Sequence, residues 1–280
     1  MNSRLLLCTD LDRTLIPNGA QPESPGARQL FRKLVSRPEV MLAYVTGRHR
    51  VLIEEAIEYY QLPVPDYAIA DVGSTVYQIK ENTWTHWSQW EAEIAEGWAG
   101  KNHQDLKKLL SDLTPLRLQE QSKQNRFKLS YYVPLHTDRD ALESEIRRRF
   151  LALNIEASLI WSIDEPSAIG LLDVLPVNAT KRHAIEFLIE QNGFTMENTL
   201  FAGDSGNDLP VLVSPIHAIL VANASDEVRA EAVNQVNQND LSETLYLANG
   251  SYAGMNGNYS AGIIEGVIHY MPALKQWVEE

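Results

Sequence analysis

A single cysteine, Cys8, stands in 280 residues, so no disulfide can form within the chain and no thiolate cluster can hold zinc. A reducing, cytoplasmic setting is the expectation. Long apolar runs are missing too: no stretch reaches the roughly 20 apolar residues that span a bilayer. The opening MNSRLLLC has three leucines where a signal core needs about 7–15 apolar residues, so a buried strand is expected there rather than a leader. Basic charge is scarce. With 24 Lys and Arg against 37 Asp and Glu the net charge is −13, which argues against a nucleic-acid or anionic membrane surface, because counterion release needs clustered cations. An anionic small substrate would have to find a local positive pocket.

What is present is an alternation of strands and helices, in a chain long enough for a core domain and a second module. Residues 4–8 are an apolar run with a polar carboxyl end, the pattern of a buried parallel strand. The spacing then predicts a helix over 24–37, with Ser24 as N-cap and Pro25 at its first position. A strand follows at 40–45, a helix reaching about Gln61, and a strand from Tyr67 to Ala70. From Thr83 the texture changes. A long polar helix is expected over 83–113, a strictly alternating strand over 126–133, a helix over 138–153, and strands at 155–163 and 168–175. A helix at 180–192 stopped by Gly193 and strands at 199–203 and 217–222 resume the first texture. The expected fold is therefore α/β: a Rossmann-like parallel-sheet core from 1–82 and 175–280, with a smaller α+β module inserted at 83–174. The Gly- and Asn-rich stretch 249–262, before a last helix at 261–271, reads as a mobile surface loop.

Four motifs sit at strand carboxyl ends or helix starts, where open parallel sheets place ligands. In Asp10-Leu11-Asp12-Arg13-Thr14-Leu15, one carboxylate can attack while the other reaches the leaving group. An acidic turn reads equally well. A calcium loop does not, since its sixth and twelfth positions hold Leu15 and Gln21 instead of Gly and Glu. Thr46-Gly47-Arg48 offers a hydroxyl and free N–H groups for phosphate oxygens, or simply an N-cap and a turn. Lys181, Arg182 and His183 crowd a helix N-terminus, where the dipole disfavours each cation by roughly 0.3–1 kcal/mol. An anionic neighbour is expected. Gly203-Asp204-Ser205-Gly206-Asn207-Asp208 concentrates hard oxygen ligands of the kind that suit Mg²⁺.

Taken together and in this order, DLDRT, the threonine of TGR, a lysine and GDSGND resemble the haloacid dehalogenase superfamily over the whole expected core. The resemblance implies that Asp10 attacks phosphorus and binds Mg²⁺. Asp12 would protonate the leaving alcohol, later activate water, and lend its backbone carbonyl to the metal. Thr46, Lys181 and Asn207 would hold the phosphoryl group, with Gly47 and Arg48 in the same phosphate-binding set. Asp204 would complete the metal shell, and Asp208 would act from its edge or through water.

A module placed between the second motif and the lysine is similar to those of type II phosphatases in that superfamily. The segments Asp71–Tyr77 and Phe127–Tyr131, with the GDSGND spelling, look most like the sucrose-phosphate phosphatase family. That resemblance implies a Mg²⁺-dependent hydrolysis of a small sugar phosphate, with sucrose 6-phosphate the first expectation. Phosphatases for mannosylfructose phosphate, mannosyl- or glucosyl-phosphoglycerate or trehalose 6-phosphate share the same machinery. A non-catalytic sugar-phosphate binding protein and a phosphotransferase are the other readings. On the alternating strand 126–133, Arg126, Lys128, Ser130 and Tyr132 share one face, and Lys128 and Ser130 are the expected contacts to sugar hydroxyls. The tryptophans of the module read as packing. No counterpart of the plant enzymes' additional C-terminal domain is expected. No nucleic-acid or membrane partner is expected either, and the state is a monomer or weak oligomer, with room for association with the synthase that makes the substrate.

Overall fold

The computed structural model of the chain describes residues 4–164 and 167–279. They fall into two compact units: one takes the residues up to Gly73, Tyr77–Thr85 and everything from Lys181 onward, the other Ser74–Val76 and His86–Thr180. Twelve strands are numbered along the chain among the described residues. The first unit carries β1 (Leu5–Thr9), β2 (Val40–Val45), β3 (Tyr67–Ala70) and most of β4 (Thr75–Lys80) and β5 (Thr83–His86). The second carries β6 (Arg117–Leu118), β7 (Leu129–Val133), β8 (Ala157–Asp164) and β9 (Ile169–Pro176). Back in the first unit come β10 (Thr199–Gly203), β11 (His217–Leu220) and β12 (Leu245–Leu247).

The large sheet has the order β12-β11-β10-β1-β2-β3-β4-β5. All five residues of β1 are buried, as a central parallel strand covered on both faces requires. Its neighbours β2 and β10 run parallel to it, with Thr9 opposite both Tyr44 and Ala202. The carboxyl ends of β10, β1 and β2 are therefore level, and the residues that follow them emerge at one edge of the sheet. Leu5, Leu7, Tyr44, Leu200 and Ile219 share a hydrophobic core with Phe31 and Leu34 of the helix Ala27–Val35 and with Ile263 and Val267 of the helix Ser260–Tyr270. The expected α/β class and parallel core sheet are what the chain adopts. Among the described residues no helix is long and apolar enough to cross a membrane.

In the second unit an antiparallel sheet of order β6-β7-β9-β8 accompanies the helices Ser88–Ala95, His103–Leu109 and Arg139–Leu151. Asp138 caps the last of these by accepting from the Ala141 N–H at 3.0 Å. Trp90 and Trp98 are fully buried, and the Trp98 ring lies 5.7 Å from that of Phe127, so these tryptophans are indeed packing residues.

Several local expectations give way. The first helix starts at Ala27, because Gly26 takes φ 79°, outside helical space; Ser24 caps nothing and instead accepts the Asn256 N–H at 2.9 Å. The long helix over 83–113 is in fact β5, two short helices and a single 3-10 turn. Ala99 and Gly100 turn left-handed with φ 50° and 73°, and Asn102 restarts the chain with a capping box to Asp105. The strand over 126–133 begins only at Leu129, because a turn closed by an Asn125–Lys128 bridge precedes it. Of the stretch 249–262, residues 249–256 lie at the surface as expected, but its second half is packed and the whole is tied down. Residues 257–262 are buried, the Asn256 and Asn258 side chains donate to the Pro22 carbonyl at 2.8 and 3.0 Å, and the buried Glu265 carboxylate accepts the N–H groups of Asn249 and Gly250 at 2.9 Å each.

Candidate active site

Asp10 follows β1 directly and is 5% exposed. The level strand ends bring Thr46 beside it from β2 and Asp204 from β10, while the helix Lys181–Asn192 presents its first residue from below. Lys181 Nζ lies 3.3 Å from an Asp10 oxygen and donates to Asp208 Oδ1 at 2.7 Å and to Asn207 Oδ1 at 3.2 Å. The anionic neighbours expected for a cation at a helix start are thus present.

Asp10, Asp204 and Asp208 form a buried trio whose ligand oxygens lie within 4.8 Å of one another. One ammonium faces three carboxylates, and the imbalance shows in the acidity of Asp10 and Asp204. Burial pushes the Asp10 carboxyl up to about 7 against the attraction of Lys181, with Asp208 and Asp204 adding to the rise. Burial, then Asp208, pushes Asp204 up to about 6. For Lys181 burial works downward, but the charges of Asp10 and Asp208 outweigh it and hold the ammonium above its ordinary range. A cluster of hard oxygens with excess negative charge fits a divalent cation.

Asp208 is tied to protein groups through both of its oxygens. It is fully buried, and its second oxygen accepts the N–H groups of Asp204 and Ser205 at 3.1 and 3.2 Å. Such close approach demands a glycine at 203, where a Cβ would stand 2.7 Å from the Asp208 carboxyl carbon. Asp204 is held by the Thr14 hydroxyl, which donates to Oδ1 at 3.1 Å, and by Arg13, whose Nε lies 3.4 Å from Oδ2.

Asp12 points elsewhere. Its carboxylate receives Arg48 Nε at 2.7 Å and NH2 at 2.6 Å, and the Asn18 side chain at 2.7 Å. Partial burial works to raise this carboxyl, but Arg48, then Asn18, outweigh it and keep it below the ordinary range. Arg48, expected among the phosphate contacts, thus serves as the partner of Asp12. Thr46 is almost wholly buried; its hydroxyl accepts the Arg48 N–H at 3.2 Å. Asp10, Asp12, Thr46, Arg48, Asp204 and Asn207 line one cleft of about 330 Å³, with Gly47 at its wall. Arg13 and Ser205 also line it and were not singled out from the sequence.

Lys128 and Ser130 belong to the second unit. The expected open polar face is not observed there: Lys128 is 8% exposed and Ser130 fully buried. Both converge on Asp173, Lys128 Nζ at 3.3 Å and Ser130 Oγ donating at 2.5 Å. The reason is register, since β7 pairs with β9 so that Ser130 stands opposite Asp173.

A family model described as Sucrose-6F-phosphate phosphohydrolase matches residues 3–271. The chain belongs to this family. Its members are phosphoric monoester hydrolases of the haloacid dehalogenase superfamily, and a sugar phosphate is the substrate class the family supports. A protein of Nitrosococcus oceani, whose name goes no further than HAD-like hydrolase, is 53% identical over the whole chain, which covers 75% of that protein. Sucrose-phosphatase 2 of Nicotiana tabacum is 28% identical over 81% of the chain, which spans only about half, 52%, of the tobacco protein. Among solved structures, the sucrose-phosphatase of a Synechocystis species, determined with sucrose and phosphate, matches with a TM-score of 0.69 and 24% identity. The match covers 95% of this chain and 98% of that one, and the likeness is one of fold.

Proposed function

We propose that this chain is a magnesium-dependent phosphatase that removes phosphate from a sugar phosphate, with sucrose 6-phosphate as its preferred substrate, by way of an aspartyl-phosphate on Asp10. One observation carries the reading: Asp10 and Lys181 meet at 3.3 Å, both buried, beside Asp204 and Asp208 at the end of the central strand. A carboxylate held in place against a cation, in a cleft open to substrate, is arranged to act as a nucleophile.

In the first step an Asp10 oxygen attacks phosphorus and the bond from phosphorus to the sugar oxygen breaks. The electron pair stays on that oxygen, which takes a proton from Asp12. In the second step Asp12 takes a proton from water while the water oxygen attacks phosphorus. The acyl-phosphate bond breaks, Asp10 recovers its carboxylate and inorganic phosphate leaves. For the second step Asp12 is already in its ionised form, which Arg48 favours. For the first it needs a proton, and Arg48 opposes that.

Lys181, Thr46 and Asn207 would hold the phosphoryl oxygens, with Gly47 shaping the wall beside them. Asp10, Asp204 and the backbone carbonyl of Asp12 would hold Mg²⁺, and Asp208 would keep Asp204 and Lys181 in place. When bound, Mg²⁺ supplies positive charge against the oxygens of the transferring group. Lys128 is the proposed contact to the sugar, and the fully buried Ser130 would act behind it by holding Asp173 in place.

The test is phosphate release from a panel of sugar phosphates with Mg²⁺. Sucrose 6-phosphate is expected to give the highest kcat/KM, and a much higher value for another ester overturns the sucrose assignment. Asp10→Asn is expected to fold normally and lose turnover by about a thousandfold or more. Retained turnover would remove Asp10 as the nucleophile.

A further inference from the structure

Two residues of the first unit with positive φ, Arg13 at 59° and Tyr259 at 51°, are joined by one side chain. Asn223 is 3% exposed. Its Nδ2 donates to the Arg13 carbonyl at 2.6 Å, across 210 residues of sequence, and its Oδ1 accepts the Tyr259 N–H at 2.8 Å. Its own carbonyl receives the Arg13 guanidinium at 3.5 Å. On the other side of Arg13, its N–H donates to Asn18 Oδ1 at 2.8 Å, and Asn18 Nδ2 donates to Asp12 at 2.7 Å. Both peptide groups flanking Arg13 are therefore fixed by side-chain amides.

A residue with a Cβ persists in the left-handed region only where its surroundings over-determine it. Arg13 sits there between Asp12 and Thr14, so its backbone angle sets the direction of the Asp12 carboxylate and of the Thr14 hydroxyl that donates to Asp204. Tyr259, fully buried, is the other anchor: its own hydroxyl donates to the Gln21 carbonyl at 3.0 Å, in the segment that follows the first motif.

We propose that Asn223 is a positioning residue for phosphoryl transfer. It locks Arg13 into the left-handed turn that aims Asp12 and Thr14, and it fastens that turn to the strap at Tyr259. The proposal rests on the phosphatase reading above for its kinetic consequence, and on geometry alone for the lock itself.

The experiment compares Asn223→Ala and Asn223→Asp in two backgrounds, the natural Arg13 and Arg13→Gly. Asparagine to aspartate keeps the acceptor for Tyr259 and removes the donor to Arg13. In the natural background both variants are expected to lower kcat by about 30- to 100-fold, with KM moving less than about threefold, as for a misplaced group that still binds substrate. Glycine takes the left-handed turn unaided, so in the Arg13→Gly background the further loss from either variant is expected to be under about fivefold. If Asn223→Ala does not fold, Asn223→Asp decides alone. An equal loss in both backgrounds, or kcat within threefold of the parent for Asn223→Asp, overturns the proposal.

Should the unaltered protein release phosphate from no ester, the functional reading fails, and the lock is then read from Mg²⁺ titration calorimetry. Asn223→Asp is expected to weaken Mg²⁺ binding about tenfold with Arg13 present, through Thr14 and Asp204, and to leave it within about threefold in the Arg13→Gly background. The same loss in both overturns the lock.

Discussion

The guanidinium of Arg48 grips the carboxylate of Asp12 by two hydrogen bonds, 2.7 Å from Nε and 2.6 Å from NH2. This fork favours the ionised carboxylate. The first step of the proposed reaction needs Asp12 protonated, and kcat/KM falls as pH rises through its pKa. Removing the fork raises that pKa, so in Arg48→Met the alkaline limb of kcat/KM for a sugar phosphate should move to higher pH. A substrate with a good leaving group, such as p-nitrophenyl phosphate, should show less of this shift. An alkaline limb that stays in place removes Asp12 as the proton donor.

Lys181 is the only cation in reach of two buried carboxylates, Asp10 and Asp208, among the described residues. Lys181→Met leaves both charges unpaired, and urea unfolding of the metal-free protein at pH 8 should report a loss of about 3–5 kcal/mol. Adding Asp10→Asn to that variant should return about 1–3 kcal/mol, because one of the stranded charges is gone. Strict additivity of the two substitutions would mean that the pair is not coupled.

Asp10 and Asp204 link stability to pH. Asp10 at about 7 and Asp204 at about 6 both stand above the ordinary carboxylate value, so the folded metal-free protein holds protons that the unfolded chain has released. Their contribution to stability is full below about pH 4 and disappears as pH climbs through 6 and 7. A difference profile between the parent and Asp10→Asn, with chelator present, isolates the Asp10 share. A divalent cation displaces the same protons, so its binding should tighten from pH 6 to pH 8. Calorimetry in two buffers of different ionisation enthalpy should register proton release at pH 6 and little at pH 8.

Gly203→Ala would place a methyl group 2.7–2.8 Å from the Asp208 side chain. A loss of about 1–3 kcal/mol is expected from overpacking, together with weaker metal binding as Asp208 shifts away from Asp204 and Lys181. Thermal melts with and without Mg²⁺ measure both effects. An unchanged melting temperature would mean that the β10 turn relaxes freely.

The parts of the site that the sequence made legible are those fixed by strand ends. A buried parallel strand is an apolar run with a polar exit, so Asp10, Thr46 and Asp204 could be placed before any fold was known, and Lys181 betrayed itself as a cation at a helix start. Arg48 could not be assigned a partner in this way, because only the level ends of β1 and β2 bring it to Asp12. The segment 83–113 reads as one helix because its polar pattern masks both the strand at its start and the break at Ala99 and Gly100, where only Gly100 is marked by composition. Stretch 249–262 has the composition of a mobile loop. What makes it a packed strap is supplied from elsewhere in the chain, by Pro22, Asn223 and Glu265.

The lone thiol turns the central strand into its own reporter. Cys8 is completely buried in β1, two residues before Asp10, and burial pushes its pKa far above the ordinary thiol range. A thiol reagent can reach it only after the layer packed over its face of the central sheet has opened, because Cys8 is paired in the middle of that sheet and wholly covered. With no second cysteine to confuse the signal, the labelling rate of the unmodified protein times the opening over the strand that carries the proposed nucleophile.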